Sequence, residues 1–498
     1  MRQFIIFSLN WGKSRSMLCA ATARASVPRP ACGYVQPLSS RLGGRAQEEI
    51  LMRIKMWLLI VVGVFLTITT TAGSKESTLY NFCSVAGCAD GSSPVGLVAD
   101  AVGNFYGVTA GGGSGITPNG TIFDLTPSSG GWTENVLYNF CSAPNCTDGA
   151  APYGGLTIDS QGNLYGTTYT GGTASTCEGG GYGTVYELSP SHGSWIYTVL
   201  YSFLGGSNGS SPSATLTFDT HGNLYGTTVG GGDPSCDYEG ESCGTVFELV
   251  HSASGWSQSV LYAFGTSGPN DGWAPRGETL DSNGNVYGTT VNGGPNPNCS
   301  SLSPFGYGVV YELSLPHGSW TENILYNFCS AASCFDGANP DTSLVFDSKG
   351  SLYGTTLYGG AGGGDDGGGT VFKLTPSNGG WTESVLYSFN FLCCDGNGPS
   401  GGVTFDNEGN IYGTTTYSRN NTGSGAFPGN CGAVYRLTPS GEDWAEKIFQ
   451  FGGKDGAYPG GGVLIQRGSL YGTTRVGGLH DVGRYKGSKG GVVFRITP

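Results

Sequence analysis

The sequence predicts an all-β fold: a seven-bladed β-propeller of four-stranded blades, its ring closed three-plus-one by an N-terminal strand at 77–82. Three observations predict it. Tyr-Gly-Thr-Thr occurs six times and Tyr-Gly-Val-Thr once, with Tyr106, Tyr165, Tyr225, Tyr287, Tyr353, Tyr412 and Tyr471 spaced 59 to 66 residues apart. A period near 60 kept through seven copies marks an array of one unit. Each unit divides into four short runs rich in Val, Tyr, Phe and Thr, bounded by Gly, Pro, Asn and Ser, which are strand signals. The seventh unit stops at its third run, Gly491-Val-Val-Phe-Arg-Ile496, while Ser77-Thr-Leu-Tyr-Asn-Phe82 matches the fourth run Asn135-Val-Leu-Tyr-Asn-Phe140.

The second copy shows the elements in order. Gly155-Leu-Thr-Ile-Asp159 alternates apolar and polar residues as the first strand. The turn Ser160-Gln-Gly-Asn163 leads into the second strand, Leu164-Tyr-Gly-Thr-Thr168. A glycine-rich loop precedes the third strand, Gly183-Thr-Val-Tyr-Glu-Leu188, and Ser-Pro-Ser-His-Gly reverses the chain into the fourth, Trp195 to Phe203. No segment beyond residue 72 carries a 3.6-residue period. A β-solenoid is the rival architecture, but its coils are commonly about 20–30 residues, and these units contain internal hairpins. The blades are expected at about 95–140, 153–203, 213–264, 276–328, 341–389, 400–451 and 460–498 plus 77–82. The N-terminal strand closes the ring and removes edges that would otherwise pair with other chains. On this count no domain is expected to be missing at either end.

The first 72 residues differ. Arg53 and Lys55 precede an apolar stretch from Trp57 to Ile68, with Thr70 and Ala72 at a small-residue cleavage pattern, so 52–72 reads as a signal peptide. Twelve apolar residues are too few to span a hydrocarbon core of roughly 30 Å as a helix. Residues 1–51 are read as a start assigned too early, with Met52 the true start, or as a disordered extension. The mature chain is taken as 73–498, a single propeller secreted or exported to the periplasm or cell surface, and expected as a monomer without a transmembrane helix.

From residue 73 onward 14 Lys and Arg stand against 34 Asp and Glu, a formal charge of −20. Nucleic-acid binders present basic patches, so this balance argues against nucleic acid. Thirteen cysteines in this part fit an oxidising compartment. Cys83/Cys88, Cys141/Cys146 and Cys329/Cys334 share one spacing after the same strand, and Cys236 and Cys243 share a loop. Zinc is the rival to disulfides, but each loop supplies only two thiols and no histidine stands beside them. Cys177, Cys299, Cys393, Cys394 and Cys431 have no evident partners, and the odd total leaves one thiol over.

The turn Asp-x-x-Gly-Asn recurs at Asp100, Asp159, Asp219, Asp281, Asp347 and Asp406, and the seventh copy, Gln466-Arg-Gly468, lacks the aspartate. These aspartates read as turn caps, since one carboxylate per blade falls short of a calcium shell of six to eight oxygens. A glycine in mid-strand implies that a ring or backbone approaches closely. The tyrosines and Trp132, Trp195, Trp256, Trp320, Trp381 and Trp444 are read as packing between blades, with an aromatic sugar platform as the alternative.

The recurring Gly-Asn-Leu-Tyr-Gly-Thr-Thr, Gly-Thr-Val-Tyr-Glu-Leu and Trp-Thr-Glu-Asn-Val-Leu-Tyr strings resemble the GloVer tandem-repeat family over essentially all of 77–498. The resemblance implies an exported or surface bacterial protein. Many members carry a C-terminal anchoring segment, and none follows the last strand here, which favours free secretion or the periplasm. NHL and gluconolactonase-type propellers are more loosely similar, with no catalytic residue to carry over.

Loops after the second and fourth strands share one face. Those after the second vary most and carry Asp233, Asp237, Glu239 and Glu241 in one blade and Asp365 and Asp366 in another. Those after the fourth carry Asp-Gly-x-x-Pro, with Asp90, Asp148, Asp271, Asp336, Asp395 and Asp455, and Asn208 in the remaining copy. This ring is the candidate ligand mouth, for a sugar or for Ca²⁺ as the one cofactor considered; the bland alternative is a turn that starts the next blade. His192, His221, His251, His317 and His480 hold non-equivalent positions, and no triad, zincin or phosphate-loop string is present. The expected function is a non-catalytic binding module for an extracellular glycan or protein. The alternative is a propeller hydrolase or lyase acting on polysaccharide or lactone through acidic loop residues.

Overall fold

The computed structural model describes the backbone of residues 5–10 and 16–21, and residues 75–174, 180–233, 236, 243–266, 271–295, 306–361, 367–390, 396–418, 431–441, 443–479 and 490–497. The proposed signal segment and its start at Met52 lie outside them. Residues 1–73 form a unit of their own, in which Ile5–Asn10 pairs antiparallel with Ser16–Ala21.

Residues 74–498 form the second unit, a seven-bladed β-propeller of antiparallel four-stranded blades. The fourth strand of the last blade is Lys75–Asn81, which pairs with Val492–Thr497 in the register Tyr80↔Val493. Phe82 follows it and is fully buried against Phe123, Val493 and Tyr471, so closure seals a core as well as an edge. The ring is closed as counting the strands predicts.

The innermost strand is less regular than alternation predicts. In the second blade only Thr157–Ile158 pairs with Leu164–Thr168, and an isolated bridge joins Ala150 to Thr170 upstream. In the third blade it breaks into Ser210–Pro212 and Thr217–Phe218, both on Leu224–Gly230. The break falls where inner strands crowd the axis: a Cβ on Gly154 would meet the Ala214 backbone of the next blade. Small residues and an interrupted ladder permit that approach.

The repeated string explains itself in the packing. Its glycine faces an aromatic ring from the third strand, and a Cβ on Gly226 would lie 2.5 Å from the Phe247 ring. The second threonine ties strands two and three together. Thr168 Oγ1 lies 2.9 Å from Thr184 Oγ1, accepts from the Thr184 amide and donates to the Thr170 carbonyl. The first threonine reaches the next blade, as Thr289 Oγ1 donates to the Thr342 carbonyl at 2.9 Å. The core accordingly sits between blades: Tyr106, Val108 and Ile122 of one pack with Leu156, Leu164 and Tyr186 of the next.

Candidate functional site: carboxylates at the blade junctions and clefts between turns

Four disulfides are present among the described residues: Cys83–Cys88, Cys141–Cys146, Cys236–Cys243 and Cys329–Cys334. Cys431 is buried in the core between the last two blades. Cys177, Cys299, Cys393 and Cys394 lie outside the described residues.

The aspartates of the Asp-Gly turns sit under these stapled loops. Asp90, Asp148, Asp271 and Asp336 are only 2, 6, 0 and 4% exposed, so their carboxylates must find partners within the protein. Asp148 accepts from the Tyr138 hydroxyl at 2.7 Å and from the amides of Ser142 and Ala143 at 2.8 and 3.2 Å. Asp336 repeats the pattern with Tyr326, Ser330 and Ala331, and Asp90 with Tyr80, Ser84 and Val85. Asp271 accepts from the Gly265 amide, and Asp455 from that of Gly452. Asn208 donates from its side chain to the Tyr201 hydroxyl. Asp395 lies outside the described residues, as do Asp237, Glu239, Glu241, Asp365, Asp366 and His480. No group of three or more His, Cys, Asp or Glu among the described residues is arranged to hold a metal ion.

A second carboxyl joins this arrangement from the neighbouring blade. The Tyr262 hydroxyl lies 3.1 Å from both Asp271 Oδ2 and Glu322 Oε2, the glutamate coming from the fourth strand of the next blade. Burial and the charge of Asp271 push Glu322 up to about 8. Burial, then Asp336, does the same to Glu383, and burial, then Asp90, raises Glu134 to about 7. Burial and the neighbouring carboxylate thus favour the protonated form of each of these glutamates. Where Asn208 replaces the aspartate, the glutamate position holds Gln258, whose amide donates to the Asn208 carbonyl. At the next junction round Tyr197 takes the place instead, stacked on Tyr138 at 3.9 Å. The glutamates sit in the Trp-x-Glu strings, and the loss of both acids at one junction, from neighbouring copies, was the sequence signal for the pairing.

The opposite face carries the Asp-x-x-Gly-Asn turns. Asp100 Oδ1 accepts from the amides of Val102, Gly103 and Asn104, and Oδ2 from the Asn104 side chain and the Tyr106 hydroxyl. In spite of burial these bonds hold Asp100 below the usual carboxylate range, and similar sets do so for Asp219, Asp347 and Asp406. The aspartates are therefore turn caps, as their spacing implies. Between neighbouring turns lie clefts. One of about 620 Å³ is walled by Tyr165, Phe218 and Trp256, with Asp159, Glu187 and Gln161 at its rim. Another of about 490 Å³ is walled by Tyr287, Phe346 and Trp381. Trp256 and Trp381 are half-buried and pack against the cores between blades.

The Gloeobacter/Verrucomicrobia repeat model matches residues 62–239 and 238–485, nearly the whole ring. The chain belongs to this repeat family. Solved structures similar to this Gloeobacter/Verrucomicrobia repeat protein include a gluconolactonase from Xanthomonas campestris, 15% identical over 68% of this chain and 85% of that one, with a TM-score of 0.36. A protein from Lactobacillus plantarum is 12% identical over 76% and 95%, with a TM-score of 0.42. The PQQ domain of a pyranose dehydrogenase from Coprinopsis cinerea is 13% identical over 86% and 96%, with a TM-score of 0.40. No activity passes from these proteins to the repeat protein described here. A search of curated proteins gives no match. Among the described residues no helix is long and apolar enough to cross a membrane.

Proposed function

We propose that this chain is an exported, non-catalytic glycan-binding propeller, and that its sugars lie in the clefts between Asp-x-x-Gly-Asn turns. The observation that carries this is the composition of the 620 Å³ cleft: Tyr165, Phe218 and Trp256 line it while Asp159, Gln161 and Asn163 stand at its rim. Binding sites combine an apolar or aromatic wall with a few placed polar groups. A pyranose matches both, because its C–H face packs on an indole and its hydroxyls bond to carboxylates and amides. The aspartates of the Asp-Gly turns offer less, since Asp90, Asp148, Asp271 and Asp336 are buried away from any ligand. Export is supported by the disulfides, which persist in oxidising compartments.

A catalytic reading would rest on the paired carboxyls, such as Asp271 with Glu322. That pair recurs at several junctions and lies within the packing, whereas catalysis needs acids that reach a substrate. A glycan array probed with the full-length protein, with and without chelator, tests the proposal. Binding is expected to survive chelation and to weaken in Trp256→Ala and Trp381→Ala. Failure to bind any glycan under either condition would remove it.

A further inference from the structure

The clefts are not equivalent, and the difference is one of charge. Opposite each tyrosine of the repeated string, in strand register, stands one residue of the third strand. It is Asp124, Glu187, Glu248 and Glu312 in the first four blades, then Lys373, Arg436 and Arg495 in the last three. In the fifth blade Lys373 Nζ lies 5.2 Å from the centre of the Tyr353 ring and 3.7 Å from Asp347 Oδ2. In the sixth, the Arg436 guanidinium lies 5.8 Å from the Tyr412 ring. These clefts thus hold a tethered cation against an aromatic face and a carboxylate, the two features that attract one.

In the first four blades the tethered cation is replaced by a second carboxylate. The Tyr287 hydroxyl lies 3.4 Å from Asp281 Oδ2 and 2.7 Å from Glu312 Oε1. The Tyr165 hydroxyl donates to Asp159 Oδ2 at 3.3 Å, with Glu187 beside it on the rim of the 620 Å³ cleft. No lysine or arginine among the described residues forms an ion pair with Asp124, Glu187, Glu248 or Glu312. In the second blade Asp159 Oδ2 accepts from the Asn163 side chain at 2.8 Å and from the Tyr165 hydroxyl, so what this cleft adds over the fifth blade is the negative charge of Glu187 beside the tyrosine.

We propose that the clefts of the first four blades bind the ammonium groups of an amine-bearing glycan, a polymer of amino sugars without N-acetyl groups. Each ammonium lies against the third-strand carboxylate and the tyrosine facing it, as the Lys373 ammonium lies over the Tyr353 ring in the fifth blade. The inference rests on the glycan-binding reading above and names its ligand class. The aromatic wall takes the pyranose, the third-strand carboxylate takes its amine, and repetition round the ring gives a polymer several attachments at once. The last three blades, where the position is basic, take no part.

The test is isothermal titration of the full-length protein at low ionic strength with three probes: a glucosamine hexamer, its fully N-acetylated counterpart and hexalysine. Acetylation keeps the ring and removes the charge, so the glucosamine hexamer is expected to bind about tenfold tighter or more, an effect that salt reduces. The double exchange Glu187→Lys with Glu248→Lys, which puts the fifth-blade residue at two of the four acidic positions, is expected to weaken it about tenfold. Glu187→Gln with Glu248→Gln gives a smaller loss and serves if the lysine variant fails to fold. Equal binding of the two hexamers, or unchanged binding by both double variants, overturns the inference. Binding of the N-acetylated hexamer alone leaves the glycan reading standing and removes the ammonium. Binding of hexalysine with neither sugar removes both and points to a basic peptide.

Discussion

The paired acids at the blade junctions predict how the ring responds to pH. Glu134, Glu322 and Glu383 are raised from 4.5 to about 7, 8 and 8, chiefly by burial and next by Asp90, Asp271 and Asp336. A raised carboxyl binds more protons folded than unfolded. Its contribution is therefore complete below about pH 4.5 and is lost as the pH rises through 7 to 8. Counted in full at 1.36 kcal/mol per pH unit, each would lose about 3–5 kcal/mol. The side chains are half-buried, and screening by solvent reduces this to about 1–2 kcal/mol each, or about 3–6 kcal/mol together. Unfolding entropy of about 2.1 cal/mol/K per residue makes this a fall in Tm of about 3–7 °C between pH 5 and 9. The perturbation is the triple exchange Glu134→Gln, Glu322→Gln and Glu383→Gln. Gln258 beside Asn208 already uses amides at one junction, so the shape is compatible with the fold. Melting followed by circular dichroism from pH 5 to 9 is the assay, and the variant is expected to lose most of the alkaline decline. A variant whose Tm falls in parallel with that of the native protein across this range would refute the role given to the raised glutamates.

Other perturbations probe the repeat itself. Asp100, Asp219, Asp347 and Asp406, held low by their turn bonds, contribute stability present above about pH 4 and lost on acidification; acid unfolding should therefore begin below pH 4, and Asp406→Asn should blunt it. Gly226→Ala places a Cβ on the Phe247 ring and should cost about 2–3 kcal/mol by denaturant melting. Thr228→Val strips the Thr245 amide and hydroxyl of a buried partner, at about 1–3 kcal/mol on the same measure. Deleting 75–82 exposes the edge Val492–Thr497, and light scattering should report aggregation together with a sharp loss of thermal stability.

The fold was legible because alternation, turn residues and a count of strands each pointed to the same ring. The glycine of the string was legible as a close approach, and Phe247 over Gly226 supplies the ring. The four cysteine pairs were legible from local spacing alone. The interrupted inner strand was not, because its cause is the neighbouring blade's backbone, which alternation within one strand does not report. The fourth strand holds a similar case. Val185 pairs with Tyr201 but Tyr186 with Val199, so Leu200 bulges out of register and the tyrosine beside it turns with it. No periodicity in the strand announces such a bulge.

In a ring of near-identical units, shared residues build the ring and only departures can distinguish one cleft from another. Asn208 with Gln258 is such a departure, as is the passage from Glu312 to Lys373 at equivalent register. Each was visible in the chain as a mismatch between copies, yet neither had a meaning until a partner in space was known. Asn208 gains its meaning from a residue 50 positions away in the next blade. Lys373 gains its own from Tyr353 and Asp347, which it neutralises while the corresponding glutamates leave their clefts acidic. The junction face departs from its pattern at Asn208 with Gln258 and at Tyr197, and the turn face is graded in charge round the ring. A ligand that tells the blades apart by charge reads the graded face.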